Sequence, residues 1–107
     1  MKPNFSKYSN RLVPTIIEDY RTKQVLMLAY MSEESYKRSL KSNQTWFWSR
    51  SRHKLWHKGE SSGHIQIIKE IKIDCDQDTL LVMVTPKGPA CHTGHQSCFY
   101  RDILVKK

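Results

Sequence analysis

Apolar residues along the chain occur in short runs separated by polar turns, which is the pattern of a sheet protein. Residues 12–18 predict a first strand, and the almost unbroken apolar run over 24–31 predicts a second strand that is buried on both faces. The polar residues 19–23 predict the turn between them. The two runs together predict a hairpin.

The one helix that the pattern supports follows this hairpin. Ser32 is a favourable N-cap because its hydroxyl can accept a hydrogen bond from a free backbone N–H of the first turn. Glu33 and Glu34 then lie at the positive end of the helix dipole. The helix is predicted to end near residues 42–43.

The middle of the chain predicts two short strands around a long loop. Residues 45–50 are rich in the aromatic side chains that favour strands. Residues 51–63 are polar, basic and glycine-bearing, and they predict a loop with a short strand near Leu55 and Trp56.

A long alternating strand is predicted over residues 65–75. Strict alternation places Ile67, Ile71 and Ile73 on one face of this strand and Ile68 on the other, because side chains of a strand point to its two faces in turn.

Two further strands complete the predicted sheets. Residues 76–79 form a tight connection to a buried strand over 80–85, and residues 99–105 predict a last strand. The expected fold is therefore mostly β, with antiparallel sheets in a sandwich or barrel-like arrangement and one short α-helix. We expect a single domain over residues 1–107.

Composition limits the partners and the compartment. The chain has 18 lysine and arginine residues against 10 acidic ones, and its net charge of +8 attracts phosphate, although soluble surfaces are often charged as well. The N-terminus lacks the apolar core of a signal peptide, and no apolar run approaches the length of a membrane span. We therefore expect a cytoplasmic protein with no membrane partner.

The densest group of metal-binding side chains lies in the cysteine loop, residues 88–98. Its glycines and proline favour a loop, and it contains two cysteines and two histidines. These are Cys91, His92, His95 and Cys98. Thiolates and imidazoles are zinc ligands, and an odd count of three cysteines argues against a disulfide framework. The loop is therefore interpreted as part of a metal site.

Two kinds of zinc site fit the cysteines equally well from their spacing. Cys91 and Cys98 are too far apart for a Cys-x₂-Cys knuckle, and with Cys75 they supply three thiolates. Three protein ligands with water in the fourth position form the catalytic pattern. A structural site completed by His92 or His95 is the alternative, and Cys75 is also compatible with a simple buried thiol.

Three aspartates, Asp74, Asp76 and Asp78, surround Cys75 at alternate positions. If the strand continues, their carboxylates share a face and repel each other unless a cation lies among them. Oxygen ligands suit Mg²⁺ or Ca²⁺, but Thr79 stands where an EF-hand loop requires glycine. A solvated acidic turn is the alternative interpretation, and the triplet alone favours it.

A basic and hydroxyl-rich segment covers residues 49–64. Arginine side chains, hydroxyl groups and loop amides are the groups that bind phosphate. A solvated face is the alternative for the charges, and core packing is the alternative for the neighbouring tryptophans. The concentration of Ser, Gly and Arg in one loop favours anion binding.

Several of these segments, taken in their order along the chain, resemble the sequence motifs of a known protein family. They are Trp-Ser-Arg-Ser-Arg at 48–52, Leu-Trp-His-Lys-Gly-Glu-Ser-Ser-Gly-His at 55–64, Asp-Cys-Asp-Gln-Asp at 74–78, Gly-Pro-Ala-Cys-His-Thr-Gly at 88–94 and Ser-Cys-Phe-Tyr-Arg at 97–101. The chain thereby resembles the phosphoribosyl-AMP cyclohydrolase family of histidine biosynthesis from about residue 12 to residue 101. Its length is similar to that of the single-activity form, without the fused pyrophosphohydrolase domain.

The resemblance implies an intertwined homodimer with its active sites at the subunit interface. One zinc ion per subunit would be bound by Cys75 of one chain together with Cys91 and Cys98 of the other. Magnesium would be bound by Asp74, Asp76 and Asp78.

The implied reaction is the hydrolytic opening of the adenine ring of 1-(5-phosphoribosyl)-AMP at its N1–C6 bond. Zinc lowers the pKa of its bound water to about 7, which makes hydroxide available for addition at C6. Proton transfer requires a base and an acid, and His92 is the first candidate and His64 the second. The candidates for binding the two substrate phosphates are Arg50, Arg52, Lys58, Ser61 and Ser62.

Two other classes of protein share some of these features. A small zinc-stabilised nucleic-acid-binding module explains the positive charge and the segment rich in Trp and Arg, but it gives the aspartates no role. A zinc deaminase of nucleobases requires His-x-Glu and Cys-x-x-Cys motifs, and neither occurs here. We therefore predict a small phosphorylated nucleotide as substrate and no nucleic-acid partner.

Overall fold

A computed structural model describes all of residues 1–107, which form two sheets and one α-helix. The strands are β1 (Val13–Asp19), β2 (Val25–Met31), β3 (Trp46–Ser49), β4 (Lys54–His57), β5 (Gln66–Ile73) and β6 (Leu80–Pro86). The helix α1 covers Glu33–Ser42, and a 3₁₀ turn covers Phe5–Lys7. The prediction of a mostly β fold with one short helix is confirmed.

Four strands form the larger sheet in the order β2-β1-β6-β5, and β3 pairs with β4 in a separate antiparallel sheet. Both hairpins of the larger sheet are antiparallel, whereas β1 and β6 run parallel, with Ile16 beside Leu81. The prediction of antiparallel sheets is thus wrong at the central pair. A hydrophobic pattern specifies which face of a strand is buried, but it does not specify the direction of a neighbour that is distant in sequence.

Neither sheet closes into a barrel, since the larger one ends in β2 and β5. The core contains apolar side chains from both sheets. The buried members are Phe5, Val13, Ile17, Leu26, Met27, Met31, Phe47, Ile68, Leu80, Val82, Val84 and Ala90. Phe47 attaches the small sheet to this core and Ala90 attaches the cysteine loop, so both segments are fixed relative to each other.

The helix begins and ends as the sequence predicts. Ser32 and Ser35 form a capping box, with Ser32 Oγ accepting a hydrogen bond from the Ser35 N–H at 3.2 Å. Asn43 ends the helix in the left-handed region at φ 62°. None of the helical structure has the length and apolar character that a membrane crossing requires.

Strand β2 is an edge strand, so the prediction that it is buried on both faces is wrong. Val25 and Leu28 remain 41% and 46% exposed, while Leu26 and Met31 are fully buried. An apolar run shows only that a strand is hydrophobic, and the edge position leaves part of one face uncovered.

Strand β5 contains a β-bulge, so its side chains do not alternate between the two faces as the sequence predicted. The register shifts between Ile68 and Glu70, and the additional residue reverses the facing of the residues that follow. Ile68 is therefore buried on the same side on which Ile71 and Ile73 pack against the core. The strictly alternating assignment, which separated Ile68 from the other two, is wrong.

The final strand predicted over 99–105 is absent. Residues 99–107 lie outside every strand, and Leu104 and Val105 are 70% and 67% exposed. Apolar residues form a strand only where they pair with another strand and pack on a surface, and this tail does neither in the single chain.

Candidate active site

A polar cavity of about 610 Å³ is lined by the small sheet, the loop that follows it and the cysteine loop. It brings together many of the side chains that the sequence singles out. Those that line it are Arg52, Lys58, Ser61, Ser62, His64, Cys91 and His92. Segments up to 40 residues apart in sequence thus meet in one place, which is the expected property of a functional site.

The cysteine loop is held by its own backbone and by the edge of β2. The N–H groups of Ala90 and Cys91 donate to the carbonyls of Gln96 and His95, at 3.1 and 3.2 Å. The Cys98 N–H donates to the Leu26 carbonyl of β2 at 2.7 Å. Edge strands have unpaired carbonyl groups, so the loop satisfies this edge and is positioned by it.

Cys91 and Cys98 lie together in the folded chain. The Thr93 hydroxyl is 2.9 Å from Cys91 Sγ and lowers the pKa of that thiol, while burial raises the pKa of Cys98. The two thiols are close enough for each to affect the pKa of the other. A pair of adjacent thiols, one of which is stabilised as thiolate, fits a soft metal such as zinc.

Cys75 lies elsewhere, in the turn between β5 and β6, and it is exposed. It does not join Cys91 and Cys98 in a cluster of metal-binding side chains within the chain. One chain therefore presents Cys91 at the cavity with Cys98 beside it, and the third thiol in the turn between β5 and β6.

The aspartates converge, although β5 ends at Ile73 and does not continue through them. The carboxylate oxygens of Asp74, Asp76 and Asp78 all lie within 4.8 Å of one another. Asp74 Oδ1 accepts hydrogen bonds from the N–H groups of Asp78 and Thr79, at 3.0 and 3.1 Å, and so tightens the turn. This set of oxygens fits a hard cation such as Mg²⁺.

Lys7 supplies a positive charge to these aspartates, and sequence reasoning missed it. Its Nζ lies 2.6 Å from Asp78 Oδ2 and 3.2 Å from Asp76 Oδ2. The hydrogen bond from Lys7 lowers the pKa of Asp78 to about 2. The Asn4 N–H donates to the Gln77 carbonyl at 2.8 Å, which fixes the N-terminal segment against the turn. No local pattern signals a contact across so many residues.

Both candidate histidines line the cavity. His92 is exposed there and adjoins Cys91 in sequence. The His64 ring packs on Gly88, where an added Cβ would lie 2.5 Å from a ring carbon. Gly88, with φ 148°, thus provides the space that the His64 ring occupies.

Arg50 and Arg52 occupy different places. Arg52 lines the cavity with Ser61 and Ser62, whereas Arg50 stacks on Tyr30, with its guanidinium carbon 3.9 Å from the ring centre. Arg50 lines a second cavity of about 640 Å³. The structure therefore groups four of the five predicted phosphate-binding residues, Arg52, Lys58, Ser61 and Ser62, and places Arg50 in the second cavity.

Lys58 is buried rather than directed to solvent. Its Nζ donates to the Ala90 carbonyl at 2.8 Å. Burial lowers the pKa of this lysine below its usual value, and the neighbouring thiols of Cys98 and Cys91 oppose only part of that shift. Its predicted role in phosphate binding stays a prediction.

Trp46 and His57 form a stacked aromatic pair that sequence reasoning missed. Their rings stack with centroids 4.7 Å apart and planes inclined by 10°, and both line the cavity. His57 Nε2 lies 2.7 Å from Gln44 Oε1, which holds the ring in place. The two residues face each other in the β3–β4 register, so pairing the two predicted strands would have signalled the contact.

The chain matches a known protein family over more than half of its length. Residues 27–100 match the family described as "PRA-CH: Phosphoribosyl-AMP cyclohydrolase". The chain is 63% identical over 100 residues to "Phosphoribosyl-AMP cyclohydrolase" of Clostridium botulinum (strain Alaska E43 / Type E3), which covers 94% of the chain and 91% of that protein. It is 58% identical over 107 residues to the protein of the same name in Lactiplantibacillus plantarum, which covers 100% of the chain and 98% of that protein.

A longer relative also matches. The chain is 58% identical over 104 residues to "Histidine biosynthesis bifunctional protein HisIE" of Lactococcus lactis, which covers 97% of the chain and 48% of that protein. A polar cavity with imidazole and thiol groups, together with these matches, defines a hydrolase. The chain belongs to the phosphoribosyl-AMP cyclohydrolase family.

Proposed function

We propose that this protein hydrolyses the N1–C6 bond of the adenine ring of 1-(5-phosphoribosyl)-AMP in histidine biosynthesis. The observation that carries the proposal is the cavity in which Cys91, His92, His64 and Arg52 meet. Such a cavity has groups for metal binding, for proton transfer and for phosphate binding together. The names of the relatives support the same reaction.

The metal ligands are divided between two chains in this proposal. Cys91 and Cys98 of one chain and the partner's Cys75 would bind one zinc ion per subunit, which would supply a bound water with a pKa near 7. The separation of Cys75 from the other two cysteines supports this arrangement. Asp74, Asp76 and Asp78 would bind magnesium.

His92 would act in proton transfer, because it adjoins Cys91 and reaches into the cavity. It would take a proton from the attacking water and give one to the leaving ring nitrogen. His64 is the second candidate for this role, and the contact with Gly88 positions its ring.

The remaining lining of the cavity would bind the nucleotide. Arg52, Ser61 and Ser62 offer a guanidinium group and hydroxyls to one phosphate. The stacked pair of Trp46 and His57 would pack against the purine ring. Arg50, two residues from Arg52 but in the neighbouring cavity, would bind the second phosphate.

A homodimer is part of the same proposal, and the C-terminal tail supports it. Phe99, Ile103, Leu104 and Val105 are exposed, which leaves a row of apolar side chains uncovered in the single chain. Apolar surface of this kind marks an interaction site. We propose that the tail packs against the partner subunit.

Turnover of 1-(5-phosphoribosyl)-AMP, followed by ultraviolet absorbance, tests the proposal. The purified protein would be assayed as isolated, after removal of zinc with a chelator, and after zinc or only magnesium is returned. Ring opening should disappear on chelation and return with zinc, but not with magnesium alone. Folded dimer loaded with both metals that fails to open the ring would contradict the proposed function.

A further inference from the structure

Lys58 is the one lysine that is buried as a whole residue, with 8% of its surface exposed. It follows β4, and its backbone N–H donates to the Thr45 carbonyl at 3.2 Å, which fixes its position on the small sheet. Its Nζ donates to the Ala90 carbonyl at 2.8 Å. The side chain thus links the small sheet to the residue that precedes Cys91.

The surroundings of this ammonium group contain no carboxylate partner. Lys58 takes part in none of the ion pairs of the structure, and the ionisable groups that affect its pKa are the thiols of Cys98 and Cys91. The Trp56 ring lies beneath it, with the ring centre 5.7 Å from Nζ. A buried ammonium without a partner is costly, so a site that keeps one is expected to carry negative charge when complete.

A centre of three thiolates and one zinc ion has a net negative charge. Cys91 and Cys98 would contribute two of those thiolates beside Lys58. Groups that surround the ligands of a metal set its affinity, and their loss typically weakens metal binding about 10- to 100-fold. Lys58 occupies such a position, since it contacts the backbone next to one ligand and carries the opposite charge.

We propose that Lys58 is a positioning residue of the zinc site, whose ammonium group balances the charge of the thiolates and holds the Ala90–Cys91 backbone in place. This inference rests on the proposed function, because it takes the cysteines to be zinc ligands. Lys58 would then not be needed for phosphate binding, because Arg52, Ser61 and Ser62 line the same cavity and can bind a phosphate without it.

Zinc affinity of the full-length protein, measured by competition with a chromophoric chelator, tests the inference. Lys58→Met removes both the charge and the hydrogen bond, Lys58→Gln keeps a donor for the Ala90 carbonyl, and Lys58→Arg keeps the charge. Lys72→Met is the matched control, because Lys72 is exposed on β5 and contacts only Glu70, at 3.7 Å.

The Met and Gln variants should bind zinc about 10- to 100-fold more weakly, and the Arg variant and the control should stay close to the wild type. Zinc affinity in the Gln variant equal to that of the wild type would overturn the inference, because charge would then have no effect. If the Met variant does not fold, the Gln variant decides the question. A raised KM with unchanged zinc affinity would also overturn it and would assign Lys58 to the phosphates.

The wild-type sample separates this inference from the proposed function. A wild-type protein that binds zinc through its cysteines but does not open the ring would refute the activity, while the zinc affinities of the Lys58 variants would still test the role of Lys58. A wild-type protein that opens the ring, with variants that bind zinc equally well, would refute the role of Lys58 alone.

Discussion

The aspartate turn and the cysteine loop are both candidate metal sites, but one chain brings all the candidate ligands together only in the first. Asp74, Asp76 and Asp78 come from a single turn, and their oxygens lie within 4.8 Å of one another. The cysteines are divided, with Cys91 at the cavity, Cys98 beside it, and Cys75 exposed in the turn that contains the aspartates.

The difference follows from how each site is encoded. Ligands at alternate positions of one turn are brought together by local backbone structure, so folding of one chain is sufficient. Ligands on segments that the fold keeps apart require a second copy, which makes such a site depend on assembly. The aspartate turn would thus be a property of the monomer, and the zinc site a property of the dimer.

The largest expected effect on activity comes from removing a ligand of the zinc site that two chains would share. Cys75→Ser should reduce kcat by at least about a thousandfold, because hydroxide at neutral pH depends on the bound metal. Zinc content should fall with it. The exposed position of Cys75 in the single chain predicts little change in the thermal stability of the metal-free protein. Normal zinc content in this variant would remove Cys75 from the site.

Proton transfer gives the next largest effect. His92→Ala should lower kcat by about 10²- to 10⁴-fold while zinc stays bound, because general acid–base catalysis has this magnitude. His53→Ala is the control for kcat, since His53 lies outside the cavity that contains His92; it lines the second cavity with Arg50, so a change there would affect KM rather than proton transfer. If the His92→Ala enzyme is fully active and the His64→Ala enzyme is slow, proton transfer is assigned to His64 instead.

Substitution of the arginines that would bind the substrate phosphates should have a smaller effect, on KM. Arg52→Gln should raise KM on the order of 10- to 100-fold, because hydrogen bonds to charged groups contribute about 1.5–3 kcal/mol. Arg50→Gln should raise KM less, because its guanidinium group already stacks on Tyr30. Steady-state kinetics of the two variants side by side would test this order, and equal KM values in both variants and the wild type would exclude phosphate binding by either arginine.

The smallest effect concerns the aspartate turn. Lys7 contacts two of its carboxylates and therefore competes with any divalent cation there. Lys7→Gln should tighten magnesium binding about two- to fivefold, as expected from an exposed ion pair. Lys2→Gln is the control, because Lys2 contacts Glu33 instead, at 3.2 Å. Isothermal titration calorimetry measures the magnesium affinity of both variants. Weaker magnesium binding by Lys7→Gln than by the wild type would contradict competition between Lys7 and the cation.

Sequence reasoning succeeded where the signal is local. The cap at Ser32, the two hairpins of the larger sheet and the close approach of the three aspartates depend on residues near each other in the chain. The grouping of His64, Cys91 and His92 in one cavity was anticipated from the family resemblance rather than from spacing.

The features that sequence reasoning missed are non-local. The parallel pairing of β1 with β6, the contact of Lys7 with the aspartates and the contact of Lys58 with Ala90 join segments that no periodic pattern connects. The predicted strand over 99–105 failed for a related reason, because its apolar residues have no surface to cover within one chain.

Subunit mixing tests most directly whether the zinc site is shared between two chains. Cys75→Ser and Cys91→Ser proteins, each inactive alone, would be mixed, dissociated and reassembled. In a shared site the mixed dimer keeps one complete set of cysteines, so random pairing should restore about a quarter of the wild-type activity. Mixing Cys91→Ser with Cys98→Ser should restore none, because both changes affect the same half of the site. Activity should recover in the first mixture only, and no recovery there would contradict a zinc site divided between subunits.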